Sequence, residues 1–314
     1  MKKLLSIILA TRNRADSLAQ ALESLIRQNT GGIFDYEIIL IDNNSTDATK
    51  DIVAGLSPKF SFPLKYIFEP TKGKVFALNK GIQSARGEIL VFTDDDIHAD
   101  PQWLAKIYQC FETSNADGVG GRVLPVYPPH TPKWIKDNIK ILSGPIVNYD
   151  YGEETKELKK PMYEFLGANM AIKKKAMEDI GLFRTNLGPG LGTMGEDTEF
   201  ISRLVAAGKK LIYCGSAVVW HPVDAERMNL RYIRQWNITL GRYRTFSMQD
   251  TVIMDKNLVY MFGVPRYLLG RILKTTLQFP IFIFNRKKFL EKWIESSIDL
   301  GRAAECRKIY LKQT

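Results

Sequence analysis

Three consecutive carboxylates, Asp94, Asp95 and Asp96, close an apolar run that begins at Glu88 and has the length of a β-strand. Like charges crowded at a strand end repel unless a cation sits among them. Residues two apart in a strand point to one side, so Asp94 and Asp96 can share a ligand from which Asp95 faces away. Carboxylate oxygens with room left for water and phosphate suit Mg²⁺ or Mn²⁺ better than Zn²⁺. The same triplet also reads as a solvated acidic turn in which Asp95 or Asp96 caps the next helix. Gly73-Lys74, at the start of a helix, suits an anionic phosphate through backbone N–H groups and the lysine; the plainer reading is a surface lysine. Glycines 188, 190, 192 and 195 precede Glu196-Asp197-Thr198-Glu199-Phe200. That order fits a flexible loop closing over a substrate, or acids that merely complement a helix dipole. His221, one of three histidines, ends a late apolar segment, and a lone histidine is more often structural.

The elements that would position these groups alternate. Leu4 to Leu9, Tyr36 to Ile41, Leu64 to Phe68 and Glu88 to Thr93 read as strands. Helical patterns over Ser17 to Gln28, up to Leu56, over Val75 to Ser84 and over Pro101 to Thr113 separate them. Regular βαβ alternation predicts a parallel, doubly wound sheet with its ligand site at the carboxyl ends of the strands. Three strands then deliver Thr11 to Arg14, Asp42 to Asn44 and Asp94 to Asp96 to one edge. Val119 to Val126 and Phe165 to Ile172 are expected as further strands, with 127 to 161 a mobile, partly ordered insertion rich in proline. A helix from Glu196 to about Ala207 and a strand from Ala217 to Pro222 complete this part.

Charge divides the chain. Residues 221 to 314 hold 17 Lys/Arg against 8 Asp/Glu, whereas the first 220 are nearly neutral at 27 against 26. A polyanionic surface is the partner this implies for the last third. Cys110, Cys214 and Cys306 are too few and too widely spaced for a disulfide framework or a zinc site, and a reducing cytoplasmic setting fits. The basic, apolar N-terminus reads as a buried first strand rather than a signal peptide, and no stretch reaches the ~18 apolar residues of a membrane span. No Gly-x-Gly-x-x-Gly follows the first strand, which lowers a dinucleotide oxidoreductase reading.

Five pieces in order carry a resemblance: Ala10-Thr11-Arg12-Asn13-Arg14; Ile41-Asp42-Asn43-Asn44-Ser45-Thr46-Asp47; Gly73-Lys74 with Ala77-Leu78-Asn79-Lys80-Gly81; Ala85-Arg86-Gly87-Glu88; and the Asp triplet. Together they resemble family 2 glycosyltransferases of the GT-A fold, over roughly the first 220 residues. The resemblance implies an α/β, Rossmann-like sandwich with a mostly parallel central sheet. It puts Thr11, Arg14, Asp42 and Asn44 at a nucleoside, with Asp42 accepting from uracil or ribose, and adds Gly73, Lys74, Asp94 and Asp95 around the diphosphate. Asp94 and Asp96 become an Asp-x-Asp pair for Mn²⁺ or Mg²⁺, with His221 as a further ligand. Gly167, Ala168, Asn169 and Glu196 would line sugar and acceptor, and Asp197 would be the catalytic base.

Beyond residue 222 the chain changes character. Arg227, Arg231, Arg234 and Arg242 share one helical face, with Tyr232, Ile233, Trp236, Leu240 and Tyr243 on the other. Residues 258 to 290 mix aromatic and aliphatic residues with Arg266, Arg271, Lys274, Arg286, Lys287 and Lys288. The expected organisation is a catalytic domain over 1–222, with nucleotide-binding (1–125) and acceptor-binding (126–222) halves, and a basic, amphipathic helical extension over 223–314. The function expected is metal-dependent, inverting transfer of a sugar from a nucleotide diphosphate, UDP by preference, to a hydroxyl of a glycan or lipid-linked acceptor. The enzyme would sit peripherally on the inner face of an anionic membrane, with no nucleic-acid partner. A nucleotidyltransferase and a non-enzymatic lipid-binding protein are the rival readings.

Overall fold

The computed structural model describes residues 2–158, 165–247 and 258–313. They form two compact units: 1–127 with 147–192 and 196–222, and 128–146 with 193–195 and 223–314.

The first unit is built on one large sheet. Its strands are β1 (Leu4–Thr11), β2 (Asp35–Asp42), β3 (Leu64–Phe68), β4 (Ile89–Thr93), β5 (His98–Ala99), β6 (Gly118–Val126), β7 (Thr155–Glu157), β8 (Met170–Lys173) and β9 (Leu211–Pro222). They run in the order β3-β2-β1-β4-β8-β6-β9-β5, with β7 also on β9. The four strands expected from the first hundred residues pair in parallel, as βαβ connections require. Their continuous apolar composition has the matching cause: Leu5, Ile7, Ile8 and Leu9 are all buried, because helices cover both faces of a parallel sheet.

Toward the amino ends of these strands a buried carboxylate is closed off. Glu37 accepts hydrogen bonds from the Ser6 hydroxyl (2.7 Å), the Arg86 backbone N–H (2.8 Å) and the Arg86 guanidinium (2.8 Å). The Gly87 N–H donates to Ser6 Oγ, and a Cβ at Gly87 would lie 2.6 Å from the Ser6 nitrogen. Ala85-Arg86-Gly87-Glu88 therefore does structural work at the end of the sheet away from Asp94 to Asp96. Burial works against the Glu37 charge, but these donors outweigh it and hold the carboxyl below its usual range.

Two expectations are corrected. Phe165 to Ile172 is not one strand: Gly167–Asn169 is a 3-10 turn and the strand is only Met170–Lys173. The reason lies in Asn169, whose buried amide donates to the carbonyls of Arg122 and Ala217 and accepts from the Trp103 indole N–H (2.8 Å). That anchorage folds the chain before β8 begins. The insertion expected at 127 to 161 is ordered over 128–158, with helices Lys133–Asp137 and Ser143–Ile146, strand β7 and a bridge between Val123 and Tyr149; residues 159 to 161 lie outside the described residues.

In the second unit, helix Leu230–Ser247 packs against helix Arg286–Gln313. Two glycines make the crossing close: a Cβ at Gly241 would lie 2.0 Å from the Ile298 carbonyl oxygen, and one at Gly301 equally close to that of Ile238. Arg231, Arg234 and Arg242 face solvent while Ile233, Asn237 and Tyr243 are buried, so this basic helix packs on another helix through its apolar side. A cavity of about 510 Å³ lies in this unit, where Arg271 and Arg302 pair with Asp299, and Arg271 also with Glu295. Among the described residues no helix is long and apolar enough to cross a membrane.

Candidate active site

Sheet register assembles the site. β1 and β2 end in register at Thr11 and Asp42, and β4 ends beside β1 at Thr93, so the three following turns share one edge. The turns after β1 and β2 are laced together: Thr46 N–H donates to Asn13 Oδ1 (2.7 Å), Asn13 N–H to Ser45 Oγ (2.9 Å) and Ala15 N–H to Asp47 (3.1 Å). Asn13 and Asn44 take left-handed backbone conformations, which asparagine tolerates better than most residues.

A two-residue strand that the sequence did not reveal delivers the histidine. β5, immediately after the Asp triplet, pairs antiparallel with β9 so that His98 opposes Trp220. This pins the turn holding Asp96 to the end of β9 and brings His221 Nε2 to 3.2 Å from Asp96 Oδ1. The other ring nitrogen, Nδ1, lies 2.8 Å from the Pro222 carbonyl oxygen, an acceptor only, so it donates there and leaves Nε2 facing the carboxylate. Asp94, Asp96 and His221 each offer one ligand atom within 4.8 Å of the others, and their oxygen and imidazole donors fit a divalent ion.

Two protein cations share these acids. Lys74 forms an ion pair with Asp94 (2.5 Å), and Arg14 Nη1 lies 3.2 Å from Asp96 Oδ2. Arg14, expected at a nucleoside, pairs here with Asp96. Burial opposes the charge on Lys74, but the carboxylates of Asp94, Glu196 and Asp197 outweigh it and raise its pKa. Asp95 stands between the two acids, Asp94 and Asp96. Burial, with Asp96 and Asp94 adding repulsion, pushes its carboxyl up to about 6 against the pull of the Thr11 hydroxyl and Arg14.

The helix start at Gly73 does not supply the backbone donors expected of it. Gly73 N–H donates to Asn43 Oδ1 (2.8 Å) and Lys74 N–H to the Pro189 carbonyl (3.1 Å), so both are spent inside the protein. The Lys74 side chain reaches Asp94. Asn43, passed over in the sequence, is the organiser here: its amide also donates to the carbonyls of Thr71 and Glu69. Its position in Asp42-Asn43-Asn44 was the available signal, because asparagines in turns commonly hydrogen-bond nearby backbone. Asp42 accepts from Tyr66 Oη (2.6 Å) and the Ser45 N–H (2.8 Å), which fixes its carboxylate on this edge. Asn44 Nδ2 reaches the Pro70 carbonyl at 3.4 Å.

A narrow cleft is lined by Lys74, Thr93, Gly167, Glu196 and Asp197 among others. Asp197 opens helix Glu196–Ala206, and its two oxygens accept from the N–H groups of Gly167 (3.1 Å) and Thr198 (2.8 Å). Glu196 beside it is buried, and burial, then the Asp197 charge, push its carboxyl up to about 7 despite Lys74. Glu199 is committed elsewhere, to Arg184 and Arg203. The Ala168 carbonyl accepts from the Thr93 hydroxyl, and Asn169 is held by Arg122, Ala217 and Trp103, so these two position the turn while Gly167 faces Asp197 and Lys74.

A family model described as glycosyl transferase family 2 matches residues 6–181. The succinoglycan biosynthesis protein ExoM of Rhizobium meliloti is 26% identical over 244 residues, 77% of this chain and 73% of that protein. Among solved structures, the mannosyltransferase PcManGT of Pyrobaculum calidifontis, in complex with GDP-Man and Mn²⁺, matches with a TM-score of 0.57 at 19% identity, over all of this chain and 76% of its own. S. aureus TarS 1-349 in complex with UDP-GlcNAc matches with a TM-score of 0.56 at 16% identity, over all of this chain and 93% of its own.

Proposed function

We propose, since the chain belongs to glycosyl transferase family 2, that its strand-end cluster carries out metal-dependent, inverting transfer of a sugar from a UDP-sugar to an acceptor hydroxyl of a glycan, polysaccharide or glycolipid. The observation that carries this reading is the convergence of Asp94, Asp96 and His221 on one point, with Lys74 between that point and Asp197. In this reading Asp94, Asp96 and His221 hold Mn²⁺ or Mg²⁺. The ion, when bound, neutralises charge on the departing diphosphate.

The remaining roles belong to the chain's own groups. Asp42 and Asn44 accept and donate toward the nucleoside, and Thr11 and Asp95 line the floor beneath it. Arg14 and Lys74, already paired with acids of the cluster, offer positive charge to the diphosphate. Asp197 takes the proton of the attacking hydroxyl, held in orientation by the two backbone N–H donors. Glu196, whose carboxyl holds a proton near neutrality, serves as a neighbouring hydrogen-bond donor to sugar or acceptor. Inversion follows from a single in-line displacement with one base. The same reading puts the working enzyme at an anionic membrane face, where a lipid-linked acceptor would lie.

Family membership weighs against the nucleotidyltransferase and the purely lipid-binding readings. The test is a screen of nucleotide sugars for hydrolysis and transfer with Mn²⁺ or Mg²⁺, with the product anomer read by NMR. A UDP-sugar consumed only with metal and a product of inverted configuration are expected. Release of pyrophosphate, or retention of configuration, would overturn the chemistry.

A further inference from the structure

Residues 258 to 290 carry six Lys/Arg and no Asp/Glu. Helix Arg266–Phe282 buries Leu268 and Thr275, and Arg271, near that side, pairs with Asp299 on helix Arg286–Gln313. The opposite side is apolar and bare: Leu273, Leu277 and Ile281, spaced by four, are 61%, 66% and 71% exposed. The stripe continues past the helix end into the connection to the next helix, where Ile283 and Phe284 are exposed, Phe284 to 98%. Arg286, Lys287 and Lys288 follow at once, all exposed.

Those three cations stand in the first turn of helix Arg286–Gln313, which has no acidic residue there. Positive charge at a helix N-terminus opposes the macrodipole. The arrangement costs the isolated protein stability, and anionic groups beside it would relieve that cost. An exposed apolar ridge ending in an aromatic tip, ringed by cations, matches the layering of a bilayer surface, with hydrocarbon under a sheet of anionic headgroups.

We infer that the turn joining these two helices is a membrane-inserting tip: Phe284 and Ile283 enter the acyl boundary of an anionic bilayer, Leu273, Leu277 and Ile281 lie along it, and Arg286, Lys287 and Lys288 engage lipid phosphates. A second copy of the chain is the poorer occupant, because pairing two such tips would bring two sets of three cations together. The inference rests on the reading that the enzyme works at a membrane face, and is independent of the chemistry assigned to the strand-end cluster.

The experiment uses the full chain and phosphatidylcholine vesicles with and without phosphatidylglycerol, read by flotation. Phe284→Cys is labelled with a polarity-sensitive dye, which goes to this position because Cys110, Cys214 and Cys306 are buried. We expect blue-shifted emission with anionic vesicles only. Ile283→Ser with Phe284→Ser should lower partitioning about tenfold or more at any salt. Arg286→Gln, Lys287→Gln and Lys288→Gln together should lower it about a hundredfold at low ionic strength and much less at high salt. All these side chains are exposed, so the thermal midpoint of the Ile283→Ser, Phe284→Ser variant should match the wild type, and that of the triple Gln variant should match or exceed it. The inference is overturned by a label that stays in water while the protein binds vesicles, by a tip variant that partitions like the wild type, or by a vesicle-free dimer that Phe284→Ser abolishes. UDP titrations with Mn²⁺ on the same samples separate the readings: binding of UDP without vesicle binding removes the tip alone, and the converse removes the transferase site alone.

Discussion

The two ends of one sheet hold acids in opposite ways. At the amino end Glu37 is enclosed by Ser6 and Arg86, and its donors hold the carboxyl below the usual range. At the carboxyl end Asp94, Asp95 and Asp96 stand beside one another with Arg14, Lys74 and His221, and the middle carboxyl is pushed up to about 6. Both ends set carboxylates beside basic side chains. The difference teaches that a closed network spends its acids on the fold, whereas a crowded one leaves them available to the ligands proposed above.

Changes at the crowded end should therefore cost function, and changes at the closed end should cost stability. Asp96→Ala should abolish metal-dependent binding of UDP, and Asp94→Ala should weaken it. Calorimetric titration with and without Mn²⁺ checks this, and wild-type binding that ignores the metal would remove the assignment. Asp197→Asn keeps size and one hydrogen-bonding oxygen but cannot take a proton. It should fold and bind donor normally while turnover falls at least about 10²-fold. Glu196→Gln is the control, and inactivity there with a functional Asp197→Asn would move the base to Glu196.

Glu37→Gln should lower stability at neutral pH by about 1–3 kcal/mol with little effect on donor binding. Its sign with pH is set by the depressed carboxyl: the stabilisation is present above the unfolded value, near 4.5, and is lost as pH falls through the folded one. Denaturant unfolding of both proteins from neutral pH downward should show the gap closing in acid; a constant gap would mean that shape, not charge, is lost. The smallest effect is expected for Asp95→Asn in chelator. A raised carboxyl destabilises the fold above its folded value, near 6, and that cost vanishes as pH drops below the unfolded one. The variant should be more stable by about 1 kcal/mol at neutral pH, a modest figure because the site is partly exposed and water screens it. Midpoints that do not rise would mean that burial and the neighbouring acids do not burden this carboxylate.

Much of this was readable in the linear chain. Leu64–Phe68, an edge strand, is the predicted third strand to the residue, and Tyr36 to Ile41 sits within Asp35–Asp42, which is buried from Tyr36 onward and reads as a nearly continuous apolar run. The Asp triplet, Asp42 and Glu196-Asp197 stood out for a related reason: acids at element ends are costly where they lack a purpose, so their type and place are informative. The turn at Gly167–Asn169 was misread as strand because its cause, the Asn169 bonds to Arg122, Ala217 and Trp103, lies 47, 48 and 66 residues away.

Polar partnership is where the chain alone runs out. Period and composition fix what a segment becomes, since they depend on neighbours a few residues apart. Which side chain meets which depends on strand register, and register is settled by packing of the whole sheet. A pairing two residues long, His98 with Trp220 and Ala99 with Val219, brings His221 to Asp96. Lys74 reaches Asp94 because helix Lys74–Ser84 packs on β1, the neighbour of β4. No local pattern encodes either contact; each exists because close packing admits one arrangement of the apolar faces, and the polar ends are carried along with them.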